Sequence, residues 1–124
     1  MQPPNAVRSA TPEPSALEWV LAPLQTLLGR PGVSELCINR PGEVFLETSA
    51  GWHCESVPAF DAAWCRRFAP LVATYSSQRI DESSPLLSAS LPTGERTQIV
   101  LPPATTRGTV AITIRKPSAQ VWSI

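Results

Sequence analysis

Two stretches of the chain place apolar residues at helical spacing, and six shorter ones read as strands. Leu17, Leu21, Leu24 and Leu28, with Val20, form a stripe along one helical face. Ser15-Ala16-Leu17-Glu18 has capping-box spacing, so the predicted helix starts at Ser15. Pro23 removes one helical hydrogen bond and should kink the helix or divide it after Ala22. Gly29 and Pro31 stop it. Asp61 caps the second predicted helix, which runs to about Tyr75. Trp64, Phe68, Leu71 and Tyr75 share one of its faces, Arg66 and Arg67 lie off that face, and Pro70 should again disturb the helix. Both stripes read as core rather than as a partner surface or a ligand box.

Glu35 to Asn39 reads as a strand, Arg40-Pro41-Gly42-Glu43 as a turn, and Val44 to Thr48 as the returning strand. Ser49-Ala50-Gly51 turns again, and Trp52 to Val57 completes a meander. After the second helix, Ser76 to Pro85 is a polar connection. Leu86 to Ser118 then holds three more strands. Ser88 and Ser90 alternate with Leu87, Ala89 and Leu91, and Leu91-Pro92-Thr93-Gly94 suits a type I turn. Thr97, Ile99 and Leu101 alternate with Gln98 and Val100; Val110, Ile112 and Ile114 alternate with Ala111, Thr113 and Arg115. The order helix, three strands, helix, three strands predicts an α+β domain. Its sheet is largely antiparallel, of about six strands, with two or three helices on one face.

The last two strands suggest a register. If their loop is centred between Thr105 and Thr106, Arg96 stands opposite Arg115. Opposed residues of an antiparallel pair point to one face, where like charges destabilise each other. An anion held by both side chains would relieve that cost, and the planar Arg fork suits phosphate. The plainer alternative is two solvated strand ends, with Glu95 as a pairing partner. Spacing alone leaves both open.

Composition narrows the classes. A chain of 124 residues, 43% hydrophobic and 16% charged, fits one globular domain. Met1 to Pro14, with four prolines, reads as a flexible tail. Ten basic residues balance ten acidic ones, which argues against a strong general affinity for nucleic acid or anionic membrane. Cys37, Cys54, Cys65 and the single His53 make neither a disulfide framework nor a spaced zinc site. Cys37 and Cys65 fall in apolar patterns and read as buried thiols of a reduced compartment. His53 reads as a surface histidine, and the adjacent Asp81 and Glu82 as part of a solvated loop. The N-terminus lacks signal-peptide organisation, and no apolar run reaches membrane-spanning length. There is no P-loop, no dinucleotide fingerprint and no nucleophile elbow. The residues alone describe a domain with a candidate anion site and no complete catalytic apparatus.

Three blocks carry a family resemblance. Pro31-Gly32-Val33-Ser34-Glu35-Leu36-Cys37-Ile38-Asn39-Arg40-Pro41-Gly42-Glu43-Val44 is the first. The second is Leu91-Pro92-Thr93-Gly94-Glu95-Arg96 followed by Val100-Leu101-Pro102-Pro103. Ile112-Thr113-Ile114-Arg115-Lys116-Pro117-Ser118 is the third. In this order and spacing they resemble the N-terminal domain of the traffic ATPases of type IV secretion, over about residues 15 to 118. Arg79 to Pro85 is similar to the related Tad-pilus ATPases. The resemblance implies a flexible tail at 1–14, the domain at 15–118 and the start of an interdomain linker at 119–124. A C-terminal RecA-like domain, with the P-loop, would lie beyond. It further implies a hexameric ring that powers translocation of protein or DNA, as in conjugation, or pilus assembly. ATP with Mg would be held between the two domains of the full-length protein, and no cofactor is expected in this chain alone, which would not hydrolyse ATP. By motif position Arg96 and Arg115 would contact the phosphates; Arg107 receives no role. The implied partners are the RecA-like domain, other subunits, and the inner-membrane secretion channel with its coupling proteins. No sequence-specific nucleic-acid binding is expected. The implied location is cytoplasmic, peripheral at the bacterial inner membrane. A non-catalytic protein-interaction module and a small-ligand sensory domain remain the alternatives.

Overall fold

The computed structural model describes residues 12–102, 104–105 and 110–117, with side chains from residue 16 onward. Helix α1 spans Pro12–Leu28. It begins three residues before the predicted start, so Ser15 lies inside the helix and not at its cap. Pro12 suits a first turn, where the N–H it lacks would have no helical partner. Of the expected tail, positions 1–11 fall outside the described residues. The helix also runs unbroken through Pro23. Proline there forfeits only the bond to the Trp19 carbonyl, and packing outweighs that loss. Leu17, Val20, Leu21, Leu24, Leu27 and Leu28 are all buried. The indole Nε1–H of Trp64 donates to the Val20 carbonyl at 3.0 Å and fastens the second helix to the first.

Strands β1 (Glu35–Arg40), β2 (Glu43–Thr48) and β3 (Gly51–Ser56) form the first meander. Helix α2 (Ala62–Tyr75) leads to the second, β4 (Leu86–Ser90), β5 (Arg96–Val100) and β6 (Ala111–Arg115). The six strands make one sheet in the order β3-β2-β1-β6-β5-β4, antiparallel throughout. The meanders therefore meet along a β1–β6 joint. The fold class is as predicted, with two helices among the described residues. Gly42 at φ 83° supplies the left-handed third position of the Arg40–Glu43 turn. Its N–H donates to the Phe60 carbonyl at 2.7 Å, tying the hairpin to the segment that enters α2.

Alternation gives the sheet two unlike faces. Leu36, Ile38, Val44, Leu46, Ile99, Ile112 and Ile114 are buried in one cluster with the α1 stripe and with Phe68 and Val72 of α2. Asp61 caps α2 as expected, its Oδ1 accepting from the Trp64 N–H at 2.8 Å. Trp64 stacks on Phe68 and meets Phe60 edge-on. Three sequence expectations need correction here. Tyr75 is 50% exposed, because the last turn of α2 runs past the core and Val72 and Ala73 take the buried positions. Pro70 leaves α2 continuous. Cys37 is only half-buried: Leu36 and Ile38 turn inward, so the residue between them faces outward. Cys65 is buried, and burial, with Asp61 nearby, pushes its thiol up to about 11.

Candidate anion site on the open face of the sheet

The outward positions of neighbouring strands line up in rows. Register opposes Ser90 to Arg96, Arg96 to Arg115, Arg115 to Glu35, and Glu35 to Glu47. The predicted Arg96–Arg115 pairing is thus present, on adjacent strands and on one face. Two cations stand beside two carboxylates across the β1–β6 joint. The next row places Ser88, Gln98, Thr113, Cys37 and Phe45 side by side.

The two arginines differ in their surroundings. Arg115 donates from Nε and Nη2 to Glu35 Oε1, at 3.2 and 3.0 Å. Arg96 has no ion-pair partner among the described residues. The alternative partner, Glu95, is turned to the other side of the strand and is 7% exposed. Its carboxylate accepts from the Thr93 hydroxyl and from Gln25 Nε2. Strand alternation separates Glu95 from Arg96, so the pairing read as an alternative does not form.

Arg96, Gln98, Thr113, Arg115 and Lys116 line an open cleft of about 500 Å³, with Ser88 at its side. Two guanidinium groups, an ammonium, an amide and two hydroxyls converge there. This donor set suits an oxyanion with several oxygens. Cys37 lies in the next row, and burial raises its thiol above the ordinary value, so its environment favours the neutral thiol. Sequence reasoning had named Arg96 and Arg115 and missed Lys116, Gln98 and Thr113. The signal existed: Gln98 and Thr113 oppose each other in the same register. Lys116 continues the β1–β6 joint, its N–H donating to the Ser34 carbonyl at 3.1 Å.

Other candidate chemistry lies elsewhere. His53 is exposed on β3 and shares Glu55 Oε2 with Arg30, at 2.9 and 2.6 Å. The Arg30 hydrogen bond, then that of His53, holds the Glu55 carboxyl below its usual value. Asp81 closes its own turn: Oδ1 accepts from the Ser83 N–H, the Ser83 hydroxyl and the Ser84 N–H, and Oδ2 from Arg79 Nε. Among the described residues no group of three His, Cys, Asp or Glu could hold a metal ion. No described helix is long and apolar enough to cross a membrane. An apolar hollow of about 400 Å³ lies between α2 and Leu101. Pro102 and Val110 on its rim flank positions outside the described residues, and we assign it no ligand. Arg107 and Thr106 also lie outside the described residues.

No protein-family profile matches the chain. Individual proteins do. The type IV secretion system protein VirB11 of Brucella suis biovar 1 (strain 1330) is 43% identical over 110 residues, covering 89% of this chain and 30% of that protein. The type IV secretion system protein PtlH of Bordetella pertussis is 37% identical over 119 residues, or 95% of this chain and 35% of that protein. The crystal structure of the VirB11 ATPase from the Brucella suis type IV secretion system, in complex with sulphate, superposes with a TM-score of 0.80 at 42% identity. It matches 89% of this chain and 33% of that one. Over most of its own length, then, the chain is a relative of the VirB11-type type IV secretion ATPases, and it spans about a third of theirs.

Proposed function

We propose that this chain is the N-terminal domain of a hexameric type IV secretion ATPase, and that its open sheet face contributes phosphate-contacting arginines to a nucleotide site. The observation that carries this reading is the opposed Arg96–Arg115 pair, with Arg96 lacking any carboxylate partner among the described residues. Two like charges held side by side cost free energy that a shared oxyanion returns. The related VirB11 ATPase was crystallised with sulphate, a tetrahedral oxyanion of phosphate-like shape and charge. That the chain spans about a third of its relatives fits a domain that works with a RecA-like partner supplying the P-loop.

In this reading the residues of the open face bind and do not react. Arg96, Arg115 and Lys116 neutralise charge on the β- and γ-phosphates of ATP, and Gln98 and Thr113 orient the phosphate oxygens. Closure of the two domains around the phosphates then couples hydrolysis to movement. Of the two carboxylates in this row, Glu35 is engaged by Arg115 and Glu47 accepts from the Ser34 hydroxyl. Magnesium would be held by the other domain. The ring, its docking to the inner-membrane secretion channel and coupling proteins, and a cytoplasmic position at that membrane belong to the same proposal.

The test is mutational, in the longer protein that carries the P-loop. Arg96→Ala and Arg115→Ala should each lower ATP turnover by at least about tenfold, below the roughly hundred- to thousandfold cost of removing one preorganised donor because the other cations of the face remain. Wild-type turnover in both variants, with the fold intact, refutes the role. The highly purified 124-residue chain should hydrolyse no ATP above buffer, and measurable turnover would contradict the domain assignment.

A further inference from the structure

Glu35 stands opposite Arg115 across β1–β6 and opposite Glu47 across β1–β2. Its side chain is 13% exposed, whereas that of Arg115 is 68% exposed. Glu35 Oε1 accepts from both Nε and Nη2 of Arg115. Those two N–H groups form the side edge of the planar guanidinium. The terminal fork, made by Nη1 and the remaining N–H of Nη2, lies on the next edge of that plane and makes no hydrogen bond among the described residues. Its second oxygen, Oε2, accepts a weak hydrogen bond from the Cys37 thiol at 3.7 Å. Glu47, by contrast, accepts from the Ser34 hydroxyl at 3.3 Å and touches neither arginine.

We propose that Glu35 is a positioning residue for the anion site: it anchors the side edge of Arg115 so that the terminal fork faces the oxyanion shared with Arg96. The proposal rests on the anion reading above. An exposed Arg samples many rotamers, and fixing one before the ligand arrives removes part of the ordering cost of binding. The charge of Glu35 works the other way, since it repels an anion. Glu35 lies one strand from Arg115 and two from Arg96, about 5 and 10 Å at the usual strand spacing, so the shared anion sits within about one Debye length of it at physiological salt. Salt reduces this repulsion without removing it, whereas orientation acts through a direct contact that salt leaves in place. At low salt the repulsion grows.

The test is a titration of the 124-residue chain with tripolyphosphate at physiological salt, followed by amide and Arg Nε–H resonances. Glu35→Ala should weaken binding by about three- to tenfold, the share expected for one de-positioned contact. Glu35→Gln keeps a planar oxygen acceptor in place and should bind within about twofold of the parent, and tighter than the parent at low salt. The Arg115 Nε–H resonance should stay dispersed in Glu35→Gln and move to the free-arginine position in Glu35→Ala. Thermal melting checks each fold. If Glu35→Ala does not fold, Glu35→Asp, which draws the carboxylate back by one methylene, takes its place with the same expected weakening. The proposal is overturned if Glu35→Ala or Glu35→Asp binds like the parent, or if Glu35→Gln binds as weakly as Glu35→Ala. If the parent binds no tripolyphosphate, or Arg96→Ala and Arg115→Ala bind like the parent, the anion reading itself fails. If those two lose binding while Glu35→Ala keeps it, only the positioning role fails.

Discussion

Arg96 and Arg115 face the same cleft, but removing each should have opposite effects on stability. Arg96→Ala relieves the opposition to Arg115 and removes no ion pair. Its melting temperature should match or slightly exceed the parent. Arg115→Ala leaves Glu35 opposite Glu47 with its cation gone. Loss of this half-buried ion pair, offset in part by relief of the same Arg96–Arg115 opposition, should destabilise by about 0.5–1 kcal/mol, which calorimetry resolves. Equal melting temperatures would mean that the charge row carries no energy. The arginine pair was legible in the sequence because β5 and β6 are neighbours along the chain, so folding the loop at its centre gives their register. Glu35 was not legible as their neighbour. It is 80 residues from Arg115, and alternation says which face a residue takes but not which strands become neighbours. The alternative pairing of Glu95 with Arg96 fails for the same kind of reason: the part-buried contact of Glu95 with Gln25 joins residues 70 apart.

At the level of elements, end signals were read more reliably than interruptions. Asp61 caps α2 as its sequence position suggested, and Asp61→Ala should cost about 0.5–2 kcal/mol in thermal unfolding. No loss would place the helix start elsewhere. The prolines misled because local propensity was weighed without the core. Pro23 and Pro70 each forfeit a hydrogen bond, while the helices around them bury Leu24, Leu27, Phe68 and Val72. The link from α2 to β4 is held by Asp81, whose carboxyl is lowered to about 2, first by the Arg79 hydrogen bond and then by Ser83 and Ser84. A depressed carboxyl stabilises the turn above its unfolded value near 3.8 and loses that contribution as pH falls toward 2. A carbon-13 titration of the Asp81 carboxyl should therefore show a midpoint near 2. A midpoint near 4 would mean that the turn is open in solution.

At the scale of the whole molecule, two helix-plus-meander halves share one sheet, and the β1–β6 joint sets the candidate anion cleft on β4–β6 beside the carboxylates of β1 and β2. The two described helices cover the other face, and among the described residues no helix covers the open one. Fold class and strand order along the chain were legible because the period changes cleanly between helices and strands. The joint itself pairs the first strand with the last, and no local pattern announces such a pairing. The central claim is that this open face is a phosphate site built on Arg96 and Arg115. The most direct measurement follows backbone amide shifts of the 124-residue chain as tripolyphosphate is added. The account predicts saturable shifts centred on Ser88, Arg96, Gln98, Thr113, Arg115 and Lys116, weakened by salt and abolished in the Arg96→Ala/Arg115→Ala double variant. Shifts spread equally over Arg30, Arg66, Arg67 and Arg79, or unchanged in the double variant, would contradict it.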